Sequence, residues 1–242
     1  MLKREKIACV VAMAIIVAVC AMGISSAVSH RGVNDVDTLA VKPVEPVFSI
    51  SPYDSLFRAY ADTVGWDWKM LAAVAYVESK FDTAAVSNVG ALGLMQIMPV
   101  TARAMGIPEG MESNPDESVR AAAEYFAYLS HLFRRVPENE RVNFVLASYN
   151  AGFGHVHDAM RLAHKYGKDR HVWNDNVEVY LRLKNDSIYY TDTLCRNGRF
   201  AGLETLLFVR RVQSKYGEYC MREEHFLQDL RDADDESGVA GV

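Results

Sequence analysis

From Ser51 onward the chain is punctuated like a string of helices, and this restricts its fold more than any other feature. Ser51-Pro52-Tyr53-Asp54 offers an N-cap, a proline at the first helical position and an acid two residues later, and the pattern stops at Gly65. Asp67 is placed to cap a second helix running to Lys80. Met98-Pro99 opens a short third that stops at Gly106, and Asn114-Pro115-Asp116-Glu117 starts a long one reaching about Arg135. Further helical stretches are expected near 138–150, 153–166, 175–184 and 201–217. No segment alternates apolar and polar residues between turn signals, so the expected fold is all-α.

The two ends read differently from this body. Lys3, Arg4 and Lys6 precede Ile7–Ile24, an uncharged apolar run, which is followed by the small residues Ser25-Ser26-Ala27. Residues 1–27 are therefore expected to be an export signal, either cleaved or, since 18 residues just suffice to span a bilayer, kept as a membrane anchor. Residues 28–50, with Gly32, Asn34, Pro43 and Pro46 and no sustained period, read as a linker. The folded domain is expected over 51–220. Beyond it, 221–242 reads as an acidic, disordered tail, rich in Asp229, Asp232, Asp234, Asp235 and Glu236.

Net charge is −5, with 26 basic and 31 acidic residues. The excess acid lies in the tail, and the body between the two ends is nearly neutral. A nucleic-acid partner is excluded on that ground. Cys9 and Cys20 fall in the N-terminal segment. Cys195 and Cys220 remain as a pair that an oxidising compartment could join, or as two free buried thiols. His155 and His157 lack further ligands at matching spacing, so no metal is expected, and no cofactor either.

The chemistry is expected on the second helix. Its apolar ridge runs through Leu71, Val74 and Ala75, and the next position of that series is Glu78. A carboxyl group facing a core keeps its proton to higher pH, which suits a general acid. From this helix alone, one misplaced Glu is a weak signal, and a charge leaning out to solvent or a buried ion pair are the plainer readings. Asp82 reads as an exposed helix-end acid, and Trp66 and Trp68 as packing residues. The segment Ser87 to Pro99 is apolar and punctuated by Gly90 and Gly93, which allow backbone to approach a ligand closely. Met95 and Met98 supply adaptable apolar surface there, and Gln96 both a donor and an acceptor. Farther on, Ala147-Ser148-Tyr149-Asn150-Ala151-Gly152 ends one helix and begins the next.

Taken together these segments resemble the lytic transglycosylase family, relatives of goose-type lysozyme that cleave bacterial peptidoglycan. The resemblance rests on Glu78-Ser79-Lys80-Phe81, Ser87, Gly90-Ala91 and Gly93 through Thr101-Ala102, then on Ala147–Gly152, then on Glu204-Thr205-Leu206-Leu207-Phe208-Val209. In the last of these, Phe208 stands where the family pattern has tyrosine. From Trp173-Asn174-Asp175-Asn176 to Glu204-Thr205 the chain is most similar to the membrane-bound type F branch. The solute-binding-like domain that precedes the catalytic part there is expected to be missing, since only 28–50 stand in its place.

The resemblance implies a lysozyme-like helical domain and a single-carboxylate reaction in which Glu78 acts first as acid and then as base. It further implies that Ser87 hydrogen-bonds near Glu78 or the sugar, that Gln96 and Asn150 read acetamido or hydroxyl groups, and that Met98 lines the sugar subsite. Tyr149 would position the carboxyl, and Glu204 would brace the site from the last long helix. The implied substrate is peptidoglycan glycan strands, met in the periplasm after export. A hydrolase of goose-lysozyme type and a non-catalytic peptidoglycan-binding protein are the competing readings.

Overall fold

The computed structural model describes residues 46–239. The expected export signal or anchor, 1–27, and most of the linker lie outside the described residues. Within them the helices are α1 (Asp54–Val64), α2 (Trp68–Ser79), α3 (Pro99–Ala104), α4 (Pro115–Leu132), α5 (Glu138–Ala151), α6 (Phe153–Lys165), α7 (Glu178–Leu183), α8 (Ser187–Tyr190) and α9 (Leu203–Val239). An irregular wide turn, Trp173–Val177, leads into α7, with Asp175 at φ +57°. Among the described residues there is no strand, only two isolated antiparallel bridges, Val86 with Leu92 and Leu92 with Ile97. The all-α expectation holds.

Several helix boundaries follow the sequence signals. The Asp67 carboxylate accepts from the Lys69 N–H at 2.9 Å, and the Asn114 side chain accepts from the Glu117 N–H at 3.1 Å. Gly65 closes α1 at φ +73°, where its N–H reaches the Ala61 and Asp62 carbonyls. The start of α1 differs from expectation. Ser51 Oγ does accept from the Tyr53 N–H at 3.2 Å, but the helix itself begins only at Asp54, whose buried carboxylate gathers the N–H groups of Ile50 and Ser51 at 2.7 and 2.9 Å. The acid at the third position pulls the preceding segment into itself, which moves the boundary inward.

Helix α2 is the hub. Trp68 through Ala75 are all buried, so the helix is enclosed on every side over its first two turns rather than along one ridge. It packs against α1 and most extensively against α9, while α4 covers α1 and α5. Phe126 of α4 lies against Trp66 at 5.0 Å and Tyr149 at 4.5 Å between ring centroids, and deleting such a buried ring costs about 3–5 kcal/mol. Trp68 stacks under the Arg58 guanidinium at 3.7 Å and near Phe48, so both tryptophans pack, as expected.

Lys69 is buried too, and it changes the reading of the C-terminal segment. Its ammonium sits 2.7 Å from Asp67 and 2.5 Å from Glu223. Burial pulls its pKa down, but these two carboxylates more than offset that and hold it at about 12. Glu223 belongs to the stretch expected to be a disordered tail from residue 221. Here α9 instead continues unbroken to Val239, tied to α2 by Glu223 and packed by Phe226 on Phe48 at 5.8 Å. Local pairs along the helix, Gln228 to Asp232 and Arg231 to Gln228, satisfy some of its polar groups.

A second buried charge cluster fastens the segment before α9. Asp158 of α6 and Lys184, just after α7, are both fully buried and 2.5 Å apart. Asp158 also accepts from Arg161 and from the Arg196 and Asn197 N–H groups. Burial works against its ionisation, yet these donors hold its pKa down at about 2. His155 meets Lys184 at 3.1 Å and stacks on Phe200, which gives it a role in this cluster. Cys195 and Cys220 are both free thiols, and Cys195 donates to the Tyr189 carbonyl.

Candidate active site

Glu78 lies in the last turn of α2, only partly reached by solvent. Its carboxyl has no hydrogen bond or ion pair among the described residues, which removes the buried-ion-pair reading. Desolvation alone raises its pKa from 4.5 to about 8. At neutral pH it therefore keeps its proton. Asp82, by contrast, is exposed and folds back on the Ala84 N–H at 2.8 Å.

The backbone just past Glu78 turns sharply. Lys80 and Phe81 both take positive φ, +55° and +68°, uncommon for residues with side chains. The reversal tucks the Phe81 ring between Phe57 and Tyr76, at 6.2 and 5.7 Å, and this packing holds the strained pair in place.

The glycine-punctuated loop is then pinned against the end of α2. Three hydroxyls from three helices meet its Leu94-Met95 dipeptide. Ser79 Oγ of α2 donates to the Leu94 carbonyl at 2.8 Å, and Tyr149 Oη of α5 donates to the Met95 carbonyl at 2.7 Å. Ser118 Oγ of α4 accepts from the Met95 N–H at 3.2 Å. Leu92 and Ile97 close the hairpin with paired backbone bonds of 3.0 Å. Gly93, at φ +72°, sits where a Cβ would come within 2.9 Å of the Glu112 carbonyl oxygen. Both the backbone conformation and the close approach demand glycine there.

The residues expected around Glu78 are placed unequally. Ser87 accepts from the Ala91 N–H at 2.9 Å, so its hydroxyl organises the loop and keeps its own proton to give. Gln96, at φ +50°, spends both amide hydrogens on the Ala85 and Gly93 carbonyls, each at 3.0 Å. Only its oxygen is left to meet a ligand, so it is an acceptor and not the dual group expected. Met98 is 39% exposed just ahead of α3, available as apolar surface, whereas Met95 is core. The Tyr149 hydroxyl donates to Met95 rather than to the carboxyl. Burial, then the nearby Glu78 and Tyr125, push its pKa well above the ordinary phenol value.

Asn150 is exposed, and its Oδ1 accepts from Thr205 Oγ1 at 2.7 Å, which leaves its amide hydrogens outward. The brace from α9 is therefore Thr205, which is buried, and not its neighbour Glu204, which is exposed and makes no hydrogen bond or ion pair among the described residues. Phe208 is buried in the core, where its ring packs without needing a hydroxyl. Ser79, Ser118 and Thr205 were not singled out from the sequence. Ser79 and Thr205 lay inside the quoted motifs, and their signal was a hydroxyl beside the expected functional residue.

A single uncompensated carboxyl, a clamped glycine loop and a Tyr-Asn helix end thus stand together, and residues 55–172 match the family model described as Transglycosylase SLT domain. That segment belongs to this family. Curated relatives include membrane-bound lytic murein transglycosylase F of Marinobacter nauticus, 41% identical over 165 residues, covering 68% of this chain and 32% of the relative. The same-named protein of Photobacterium profundum is 36% identical over 194 residues, covering 78% and 36%. This chain spans about a third of the length of the curated relatives it matches. Among solved structures, the 70 kDa soluble lytic transglycosylase of Escherichia coli aligns at 26% identity and a TM-score of 0.47, over 69% of this chain and 24% of that one. In the terms of the SLT family, the motif-bearing residues Glu78, Ser79 and Gly93 through Pro99 all lie within the matched segment, while Glu204 and Thr205 lie beyond it.

Proposed function

We propose that this chain is a peptidoglycan lytic transglycosylase. The observation that carries this reading is the Glu78 carboxyl, whose burial favours its protonated form and which has no charged partner among the described residues. Glu78 gives its proton to the oxygen joining N-acetylmuramic acid to N-acetylglucosamine, and the C1–O bond breaks. The resulting carboxylate takes the proton of the muramic 6-hydroxyl as that oxygen attacks C1. The proton borrowed in the first step is thus restored, water is not consumed, and the product carries a 1,6-anhydromuramoyl end. A two-carboxylate glycosidase needs a second acid across the bond; Asp82 is turned into its own loop, which supports the single-carboxylate route with help from the substrate's acetamido oxygen.

The other roles follow from what each group has left to offer. Ser87 donates through its hydroxyl, Gln96 accepts through its oxygen, Asn150 donates through its amide and Met98 gives apolar contact to a sugar face. Tyr149 acts on Glu78 through the loop it clamps. The domain organisation proposed is an export signal or anchor over 1–27, a linker over 28–50 and a catalytic domain from 51, with action in the cell envelope. No helix among the described residues is long and apolar enough to cross a membrane, so any anchoring rests on the N-terminal run.

The test is digestion of purified sacculi by the wild type and by Glu78→Gln, followed by mass spectrometry. Muramic ends lighter by one water, formed by the wild type and lost in the variant, are the expected result. Water-added ends would establish a hydrolase instead, and undiminished cleavage by the variant would remove Glu78 from the reaction.

A further inference from the structure

A second concave feature of the body carries an unbalanced charge. Past the C-terminal end of α4, a cavity of about 270 Å³ opens between the turn at 132–136, α6 and the loop at 170–171. Arg134, Arg135, Arg170, His157 and His171 all line it, and no carboxylate does. The rest of its wall is apolar, with Leu132 and Phe153 only part-buried there.

Charges of one sign gathered in a concave site repel one another unless something answers them. Little in the protein does. His171 lies 3.7 Å from Asp169, and Arg134 reaches only the His131 carbonyl, at 3.4 Å. Arg135 makes no hydrogen bond or ion pair among the described residues. Arg170 makes none either, and its Nε–H is shut off from solvent with no acceptor. An unanswered buried donor costs about 1–3 kcal/mol and is uncommon in native proteins. His157 does not add a further cation. Burial first, then the Arg161 and Arg170 guanidinium groups, lower its pKa, and its ring stacks on Phe153 at 5.2 Å with the planes 16° apart. The cavity thus has a flat, uncharged wall on one side and guanidinium groups on the other.

We infer that this cavity binds a small organic carboxylate of about dipeptide size, with the carboxylate received by Arg170 and Arg135 and the body of the ligand against the Phe153–His157 stack. The planar guanidinium fork matches a carboxylate through two parallel N–H bonds, which the terminal amino groups of Arg170 and Arg135 can supply. The volume and the apolar wall exceed what an inorganic anion would use, and small-molecule sites commonly combine an apolar lining with a few convergent polar groups. The chemistry at Glu78 plays no part in this site, so either reading stands or falls without the other.

The experiment is calorimetric titration of the full chain, held in a mild nonionic detergent, with N-acetyl-alanyl-glutamate, with its neutral diamide and with inorganic phosphate. The dipeptide is expected to bind, and its diamide to bind at least about tenfold more weakly, the loss of one charge-assisted pair. Arg170→Gln and Arg135→Gln are each expected to raise the dipeptide Kd about tenfold or more, while Arg211→Gln, outside the cavity, leaves it unchanged. Should Arg170→Gln fail to fold, Arg135→Gln decides alone. Absence of binding, equal binding of the diamide, an unchanged Kd in the cavity variants, or phosphate binding more tightly than the dipeptide would each overturn the inference.

Discussion

Replacing Glu78 with glutamine should shift stability in the variant's favour by an amount that grows with pH. The folded-state pKa of about 8 stands above the ordinary 4.5. Below the lower value the carboxyl is protonated folded or unfolded, and burial of Glu78 has no linked cost. Between the two values the unfolded chain releases the proton while the folded chain retains it, so stability falls by about 1.4 kcal/mol per pH unit. From about pH 5 to about pH 7.5 the loss sums to about 3 kcal/mol. The glutamine amide does not titrate, so Glu78→Gln escapes it. Urea unfolding of both proteins at several pH values, followed by circular dichroism, gives the gap between them as a function of pH. Every other titrating group, and any fixed cost of burying the amide, cancels in that double difference. The variant should gain about 3 kcal/mol on the wild type across this range. A gap that does not change with pH would refute the desolvated carboxyl, and with it the observation on which the proposed reaction rests.

Three further outcomes are expected. Because the proton donated to the glycosidic oxygen is lost as Glu78 ionises, the rate of sacculus cleavage should fall as pH rises through about 8. Gly93→Ala should lower stability by about 2–3 kcal/mol in thermal unfolding, adding a clash at 2.9 Å to the strain of φ +72°. Gly90→Ala, at φ +83° with open space around it, should cost about 1 kcal/mol; equal effects would contradict the close approach at Glu112. Thr205→Val should weaken substrate binding by freeing Asn150, seen as a higher KM on soluble glycan fragments, while Glu204→Gln should leave both kinetic constants unchanged.

What the sequence disclosed depended on how local its cause was. Asp67, Asn114 and Gly65 act on backbone groups within a few residues, and each does in the structure what its type predicts. Glu78 was legible for the same reason, since helical spacing alone put a carboxyl at the end of an apolar ridge. The misplacement of Glu204 has another origin. It and Thr205 are adjacent on a helix, about 100° apart around its axis, and motif identity does not say which of two neighbours faces inward. Asp158 and Lys184 were overlooked because each alone looks like a solvent-facing charge. Their partnership spans 26 residues and exists only once α6 and α7 pack. The loop clamp escaped notice similarly: Ser79, Ser118 and Tyr149 converge on one dipeptide from three helices.

Helix α9 also bears on where cutting the chain would be felt. Its 37 residues extend about 55 Å, and its contacts with α2 occur near both ends of that helix. Glu223 and Tyr216 reach Lys69 and Asp67 at its beginning, and Lys215 lies 4.4 Å from the Tyr76 ring close to Glu78. A protease nick or a premature stop shortly before Glu223 would leave every residue proposed to face the sugar covalently intact. It would nonetheless strip one of two anionic partners from a buried ammonium at the root of the helix that carries Glu78. Damage at the acidic end of the chain would then present as lost activity in a protein whose active-site sequence is unaltered.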